Sequence, residues 1–234
     1  MATMTSQTEP SGRDKLLHAA VGLLDDQGPD ALQTRKVASA AGTSTMAVYT
    51  HFGGMRGLIA AVAEEGLRQF AAALAVPLTS DPVADLVATG IAYRRYALER
   101  PHMYRLMFGS TSAHGINAPA HNLLALSVAE ISDRYPSFAH LVRAVRRSML
   151  AGRITAGSAD DDAAVVAIAA QFWALIHGFV MLELAATTPP ATAPSALCSP
   201  PQQRICLWRW VIHRNAWSSR SGRRRRPRLQ VWVG

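Results

Sequence analysis

The side chains best placed to bind another molecule lie between Thr34 and Leu58. The sequence there predicts a short helix to about Ala41, a turn at Gly42, and a second short helix that extends to about Thr50. Gly42 suits the turn because a side chain on a left-handed residue would clash with the backbone. Helices this short cannot bury a core of their own, so the pair is typical of a helix-turn-helix unit that presents one helix to the major groove of DNA.

The second helix of the pair has an inward and an outward side. Its spacing turns Val48 inward and leaves Thr45, Met46 and Tyr49 on the outer side, while Ser44 can cap its first turn. The outer side is therefore the surface that the unit would present to a partner.

The neighbouring elements must hold this pair rigidly. Ser11 and Asp14 predict a capping box at the start of a preceding helix that ends near Gly28. Gly53–Gly54 interrupts the chain before a long helix predicted from about Met55 to Leu74. Three helices and the start of a fourth would therefore frame the outward side chains.

The rest of the first 185 residues has the apolar spacing of helices and no convincing alternation of apolar and polar residues, so we expect an all-α fold. Asp81 should cap a helix that extends to about Arg100, and Asp160–Asp162 should precede the last helix, where negative charge complements the helix dipole. Further helices are expected from Pro101 and at about 120–134, 137–155 and 163–182, with a loop at 109–119.

Residues 163–182 need a separate test, because only Gln171 and His177 are polar there and the stretch is long enough to span a bilayer. Its many Ala and Gly residues are weak drivers of membrane insertion but pack closely. We therefore expect a helix buried in the core and against a second copy of the chain, with a membrane anchor as the alternative.

The formal net charge of +8 lies in the C-terminal part of the chain. Residues 1–185 contain 15 Lys and Arg and 16 Asp and Glu, whereas residues 186–234 contain 9 Arg and no acidic residue. Overall charge therefore gives no support to DNA binding by the folded part. We expect residues 187–234 to be an atypical basic tail that is either disordered or translated in a shifted frame of GC-rich DNA, and we favour the shifted frame; a nucleic-acid-binding arm is the remaining alternative.

Several classes of function find no support in the sequence. Residues 1–12 are polar, are expected to be disordered, and lack the basic start and apolar core of a secretory signal. No cysteine precedes Cys198, which fits a reducing cytoplasm. The histidines and cysteines lack metal-ligand spacing, and there is no phosphate-binding glycine loop or G-x-S-x-G motif. We therefore expect a cytoplasmic protein that is not an enzyme and has no metal or cofactor.

Residues 13–62 resemble the DNA-binding domain of the TetR family of transcriptional regulators. The family pattern is an apolar helix ending in Gly, a Thr-rich helix start, Ala-Gly, a recognition helix ending in Tyr, and His-Phe before a long fourth helix. The matching residues are Gly28, Thr34, Ala41, Gly42, Tyr49, His51 and Phe52. The resemblance implies a helix-turn-helix domain over residues 13–54 and a helical effector-binding and dimerisation domain over residues 55–186.

The resemblance also implies which residues contact DNA. These are Thr34 and Arg35 at phosphates, Thr45, Met46 and Ala47 at base edges, and Tyr49 and His51 at the backbone, with Ser44 beside them. The family often has Lys at the start of its fourth helix, where this chain has Met55. Arg56 offers the neighbouring positive charge.

The segment WALIHGFVMLEL, with Trp173, His177 and Gly178, resembles the signature of the family branch named for a Trp-His-Gly-containing regulatory domain. The family releases DNA when a small molecule fills this domain, and apolar, aromatic and Met side chains suggest a hydrophobic or aromatic effector. The candidate lining residues are Tyr93, Tyr96, Met103, Tyr104, Met107, Phe108, Trp173 and His177. Each could instead be a core residue; His177 stands out because a polar ring in an apolar helix needs a hydrogen-bond partner.

The resemblance thus implies a ligand-responsive repressor that binds a palindromic operator as a homodimer. Family members commonly dimerise through their last two long helices, and this chain offers residues 163–182 as the first and no candidate for the second. A weak dimer is therefore expected if residues 187–234 are made as written. The alternative is a ligand-binding or interaction module with degenerate DNA binding, which Met55 and the near-neutral charge of residues 1–185 favour.

Overall fold

The computed structural model describes residues 11–109, 112–116 and 127–186, and its regular elements within these ranges are helices, apart from one isolated antiparallel bridge between Ala113 and Ile116. The predicted all-α fold is confirmed. The expectations for residues 1–10, for part of the 109–119 loop, for the first half of the 120–134 helix and for the tail at 187–234 lie outside the described residues.

The N-terminal unit consists of α1 (Gly12–Gln27), a 3₁₀ turn (Pro29–Ala31), α2 (Thr34–Ala40) and α3 (Thr45–Phe52). Ser11 caps α1, because its hydroxyl oxygen accepts a hydrogen bond from the Asp14 N–H. The predicted capping box is only half formed, since the Asp14 carboxylate accepts from the Ser11 hydroxyl instead of the Ser11 N–H. The apolar sides of these helices meet in a shared core. Its fully buried members include Leu16, Leu24, Val37 and Val48.

The turn between α2 and α3 has the glycine conformation that the sequence predicts. Gly42 has φ 64°, and the N–H of Thr43 donates to the Ala38 carbonyl over 2.9 Å, which closes α2 in a Schellman motif. Ser44 occupies the N-cap position of α3 without a side-chain capping bond, so that prediction is wrong. The Ala47 N–H that such a cap would use donates instead to the backbone carbonyl of Ser44, which leaves the Ser44 hydroxyl at the surface.

The C-terminal unit contains six helices in the described residues. They are α4 (Met55–Leu74), α5 (Pro82–Glu99), α6 (Pro101–Met107), α7 (Val128–Arg134), α8 (Pro136–Leu150) and α9 (Asp162–Ala186). Pro136 begins α8 instead of separating two helices, because proline fits a first helical turn. The same helix ends before the expected Thr155, since Gly152 takes a left-handed conformation with φ 65°.

Two clusters of buried apolar residues hold these units together. One joins the N-terminal unit to α4, α5, α6 and the end of α9, where Val180 and Leu184 are buried. The other joins α7, α8 and the first half of α9 through residues such as Ile131, Val145 and Phe172. Because α9 contributes to both clusters, it ties the region next to the helix-turn-helix unit to the far end of the molecule.

The apolar helix α9 is only partly buried. Its most apolar 18-residue stretch has a mean hydropathy of 2.0, so by length and composition the helix could cross a membrane, and a third of that stretch is buried inside the protein. Asp161 caps its start, because the carboxylate accepts from the N–H groups of Ala163 and Ala164. An exposed side remains along the helix, formed by Ala163, Ala167, Gln171, Ala174 and Leu182; we call these five residues the open face of α9.

Charged side chains fix α9 to its neighbours at the C-terminal end. Arg94 of α5 pairs with Glu183, with 2.8 Å between Nε and Oε2, and Arg105 of α6 donates to the Leu184 carbonyl over 2.8 Å. The last carbonyls of a helix lack partners within it, so Arg105 satisfies one of them. A movement of α9 at this end is therefore coupled to α5 and α6.

Candidate functional site

The outer side of α3 is exposed in the way that the spacing predicts. Val48 is fully buried, whereas Met46 is 68% and Tyr49 57% exposed. Thr45 is exposed as well, and Ala47 is half-buried. The outer side of α3 thus presents two large side chains to solvent, next to the exposed Thr45.

The other candidate DNA contacts surround this helix. Arg35, His51 and Arg56 are exposed at the start of α2, the end of α3 and the start of α4, and Thr34 is half-buried. His51 lies against the start of α1, where a Cβ on Gly12 would come within 3.1 Å of its Nε2. These residues thus lie at the end of α3 itself and at the starts of the two helices that adjoin it along the chain.

Two basic residues of this region were missed by sequence reasoning. Lys36 is exposed directly after Arg35, and the Arg13 guanidinium lies 5.2 Å from the centre of the Phe52 ring. The position of Lys36 next to Arg35 was the available signal, because the first 185 residues contain only two lysines. The contact made by Arg13 is long-range and has no signature in the sequence.

The junction between α3 and α4 is unusually close. A Cβ built on Gly57 would fall inside contact distance of the Phe52 carbonyl oxygen, so only glycine fits there. Gly53 ends α3 in the left-handed conformation, with its N–H donating to the Tyr49 carbonyl over 2.9 Å. The orientation of α3 is therefore fixed directly by α4, the helix that leads into the C-terminal unit.

A hydrogen-bonded polar cluster lies inside the C-terminal unit. His177 Nδ1 is 2.7 Å from the Tyr104 hydroxyl oxygen and 3.2 Å from that of Tyr93, and the two hydroxyl oxygens are 2.8 Å apart. Burial raises the pKa of both tyrosines and lowers the pKa of His177. A neutral imidazole with its proton on Nε2 accepts a hydrogen bond at Nδ1 from the Tyr104 hydroxyl.

Aromatic rings surround this cluster. Trp173 stacks on the His177 ring with 5.4 Å between centroids, and Phe108 lies 5.0 Å from it, edge-on. Phe70, which sequence reasoning did not single out, lies 4.9 Å from Tyr93 and 6.0 Å from Phe108. It is the one aromatic residue of α4, so helical spacing within α4 could not have marked it as part of a ring cluster.

The remaining candidates for the effector lining lie towards α4. Met103 and Met107 are fully buried, and both would clash with a Cβ on Gly66. The Tyr96 hydroxyl donates to the Gly66 carbonyl over 3.1 Å, and burial raises the pKa of Tyr96 to about 12. Their rings and thioethers therefore connect the aromatic cluster to the same helix that positions α3.

The C-terminal unit also contacts the end of α1 directly. Arg100, just before α6, forms an ion pair with Asp25, and His102 lies against Gly28, where a Cβ would come within 3.2 Å of the imidazole ring. These contacts lie next to the 3₁₀ turn that leads into α2. A shift of α6 would therefore displace the end of α1 and the turn that leads into the helix-turn-helix pair.

Two family profiles match most of the described chain. The profile described as "Bacterial regulatory proteins, tetR family" matches residues 16–62, and that described as "Tetracyclin repressor-like, C-terminal domain" matches residues 86–198. Together the matches cover more than half of the chain. No curated protein matches.

Solved structures share the architecture. A protein of unknown function from Rhodococcus sp. RHA1 is 27% identical, with 80% of this chain and 90% of that chain covered and a TM-score of 0.57. TetR from Acinetobacter baumannii AYE (18% identity, 87% and 93% covered, TM-score 0.52) and the TetR family regulator PfmR from Thermus thermophilus (18% identity, 86% and 98% covered, TM-score 0.51) have the same fold.

Proposed function

Because the chain belongs to the TetR family of transcriptional regulators, we propose that it is a ligand-responsive repressor that binds a palindromic operator as a homodimer and leaves it when a small hydrophobic or aromatic effector binds. The observation that carries the proposal is the exposure of Met46 and Tyr49 on a helix whose Val48 is fully buried. Regulators of this family are soluble cytoplasmic proteins and generally not enzymes, and we assign this chain the same location.

On DNA, α3 would lie in the major groove. We assign Thr45, Met46 and Ala47 to base edges, with the methyl groups suited to thymine, and Tyr49 to the backbone. The phosphate contacts are assigned to residues at the two ends of α3 and at the starts of α2 and α4, because phosphate contacts fix the register of a recognition helix. They are Thr34, Arg35, Ser44, His51 and Arg56.

The effector would bind at the aromatic cluster around His177. Within the described residues His177 Nε2 has no hydrogen-bond partner, so its N–H can donate to an acceptor on a ligand. The rings of Phe108 and Trp173 are half-buried and offer an apolar wall. The Trp-His-Gly branch stays a prediction, and the cluster is the feature that supports it.

We assign dimerisation to the open face of α9. Ala163, Ala167 and Ala174 are small, so a second helix can approach closely, and Leu182 is 74% exposed. A face of this length that is apolar apart from Gln171 favours association with another copy in water.

The dependence of DNA binding on salt distinguishes the proposed repressor from the alternative, a module with degenerate DNA binding. Met55 is half-buried and packs against the core, so it cannot supply the charge that the family often has there, whereas Arg56 is exposed one residue later. If Arg56 and its neighbours bind phosphates, affinity for a specific site falls steeply with added salt. A module without DNA binding would show no specific site and no such slope.

The decisive experiment is selection from a random duplex pool with the purified protein at near-physiological salt, followed by a nuclease footprint on the enriched sequence. We expect a palindrome whose half-site centres are about one helical turn, roughly 34–36 Å, apart. DNA flanking the protein's own gene is the first natural fragment to footprint. Failure of a folded protein to enrich any sequence would overturn the proposal.

A further inference from the structure

A pocket lies at the junction of the two units, away from the aromatic cluster. Its volume is about 340 Å³, and its mouth is partly open to solvent. This volume is at the lower end of the range for small-molecule sites. The lining residues are Leu32, Gln33, Thr34, Met55, Ile59, Ala113, His114 and Ile116.

The pocket exists because a turn from the C-terminal unit rests on the DNA-binding unit. Ala113 and Ile116 pair through two backbone hydrogen bonds of 3.0 Å, and Ala113 is fully buried in the shared core. His114 Nε2 lies 3.2 Å from the Asp30 carbonyl oxygen, to which the Gln33 amide also donates over 3.0 Å. The turn is thus attached to the segment that leads into α2.

The lining indicates the class of ligand. Five of the eight side chains are apolar, and the polar ones, Gln33, Thr34 and His114, belong to the start of α2 and to the turn. The Thr34 hydroxyl has no hydrogen-bond partner within the described residues. No acidic or permanently charged side chain lines the pocket. A small, uncharged, mainly apolar molecule with one hydrogen-bonding group fits this chemistry.

We propose that this junction pocket is a second regulatory site, which takes such a molecule and lowers the affinity for DNA. The regulatory part rests on the proposed DNA-binding function, because Thr34 is one of the assigned phosphate contacts. When the Thr34 hydroxyl is hydrogen-bonded to a ligand, it no longer contacts the DNA phosphate. Since coupling between two sites is reciprocal, the ligand and the operator then weaken each other's binding.

The binding arm of the test uses indole, a flat apolar molecule with one N–H donor, and the full chain labelled with ¹³C at the methionine methyl groups. We expect the Met55 signal, assigned with Met55→Leu, to move saturably with half-saturation below about 1 mM, while the Met103 and Met107 signals stay in place. No movement of the Met55 signal up to the solubility limit of indole overturns the proposal. So does movement confined to Met103 and Met107, which would place the ligand near α4 and the aromatic cluster.

Two tryptophan variants supply the control. Ile116→Trp fills the pocket from the turn and should abolish the Met55 response, whereas Ile91→Trp, at a partly exposed position of α5 outside the pocket lining, should preserve it. An unchanged Met55 response in a folded Ile116→Trp protein overturns the proposal. If Ile116→Trp does not fold, the wild-type titration still decides whether the pocket binds indole.

The DNA arm separates this proposal from the assigned function. We expect saturating indole to weaken operator binding by about tenfold in the wild-type protein and in Ile91→Trp. If indole moves the Met55 signal but leaves the operator affinity unchanged, the regulatory role is overturned. A protein that binds indole at Met55 but no DNA sequence at all would instead contradict the proposed repressor function.

Discussion

Tyr49 has surroundings that favour a binding role over a packing role. The residue is 57% exposed, and its ring lies beside Gly54, where an added Cβ would be 3.5 Å from the ring. By contrast, Tyr93 and Tyr104 are buried and hydrogen-bonded. A tyrosine that can be removed without opening the core is a clean probe of DNA contact.

We expect Tyr49→Ala to weaken operator binding by more than about tenfold, because a backbone contact is lost at every sequence alike. Helical content should stay unchanged. Leu78→Ala, at another exposed position that is far along the chain from α3, is the matched control and should alter affinity by less than about twofold. Equal affinities for wild type and a folded Tyr49→Ala protein would contradict the assigned docking.

His177, unlike the exposed Tyr49, lies inside the protein, where burial lowers its pKa below the ordinary value of 6.5. The unfolded chain therefore takes up a proton at this position at higher pH than the folded chain. The free energy of unfolding is unaffected at pH values well above 6.5 and falls as the pH drops through that value towards the folded pKa.

His177→Asn should flatten this pH dependence, because Asn does not titrate while its side-chain oxygen can still accept from Tyr104. Urea unfolding of wild type and variant at pH 7.5, 6.5 and 5.5 measures the difference in slope. Burial also lowers the pKa of His140, but that residue is present in both proteins and cancels in the comparison. Parallel stability curves would show that His177 does not carry the effect.

At the scale of elements, α4 connects the two candidate sites. Its start determines where α3 points through the contact of Gly57 with the Phe52 carbonyl, and its later turns present Gly66 to Met103 and Met107. Phe70, further along the same helix, contacts the aromatic ring cluster through Tyr93. A rotation of α4 would therefore change the position of α3 and the packing around the effector cluster together.

Gly57→Ala should force the end of α3 away from α4, because backbone cannot yield as a side chain does. We expect a loss of roughly 1–3 kcal/mol in the free energy of unfolding, together with weaker operator binding. Gly22→Ala is the matched control: a Cβ at this position of α1 would meet nothing within 4 Å, and alanine there should stabilise the helix by roughly 0.5–1 kcal/mol. Thermal or urea unfolding shows whether Gly57→Ala lowers and Gly22→Ala raises the free energy of unfolding.

At the scale of the whole molecule, the open face of α9 determines how two copies could meet. Two recognition helices can reach successive major grooves only if a fixed interface sets the distance between them. The open face is apolar apart from Gln171, extends along most of a 25-residue helix, and lies on the element that joins both buried clusters. An interface there would transmit a change around His177 to the spacing of the two α3 helices.

Ala174→Glu places a charge in the middle of the open face and should leave the protein monomeric, whereas the wild-type chain should self-associate weakly. Ala72→Glu, at an exposed position of α4, introduces the same charge elsewhere and should leave the association unchanged. Sedimentation velocity over a range of protein concentrations distinguishes the three proteins. Identical association of wild type and Ala174→Glu would assign the dimer to another surface.

Local sequence patterns predicted most of the helices. The Ser11 cap, the left-handed Gly42, the Pro82 helix start and the bounds of α4 all follow from interactions within a few residues of the chain. The same reasoning failed at Ser44, where the Ala47 N–H found a backbone partner instead of the predicted hydroxyl. Capping depends on exact local geometry, which residue types alone do not specify.

The sequence by itself determined the helices, their approximate bounds and the outward residues of α3, because helical periodicity and turn chemistry are local. Only the tertiary structure brought Tyr93 and Tyr104 to His177, more than seventy residues away along the chain, and Phe70 to the same rings. It also placed the turn at His114 against the carbonyl of Asp30. Those contacts depend on how helices pack against one another, and many packings share the same apolar spacing.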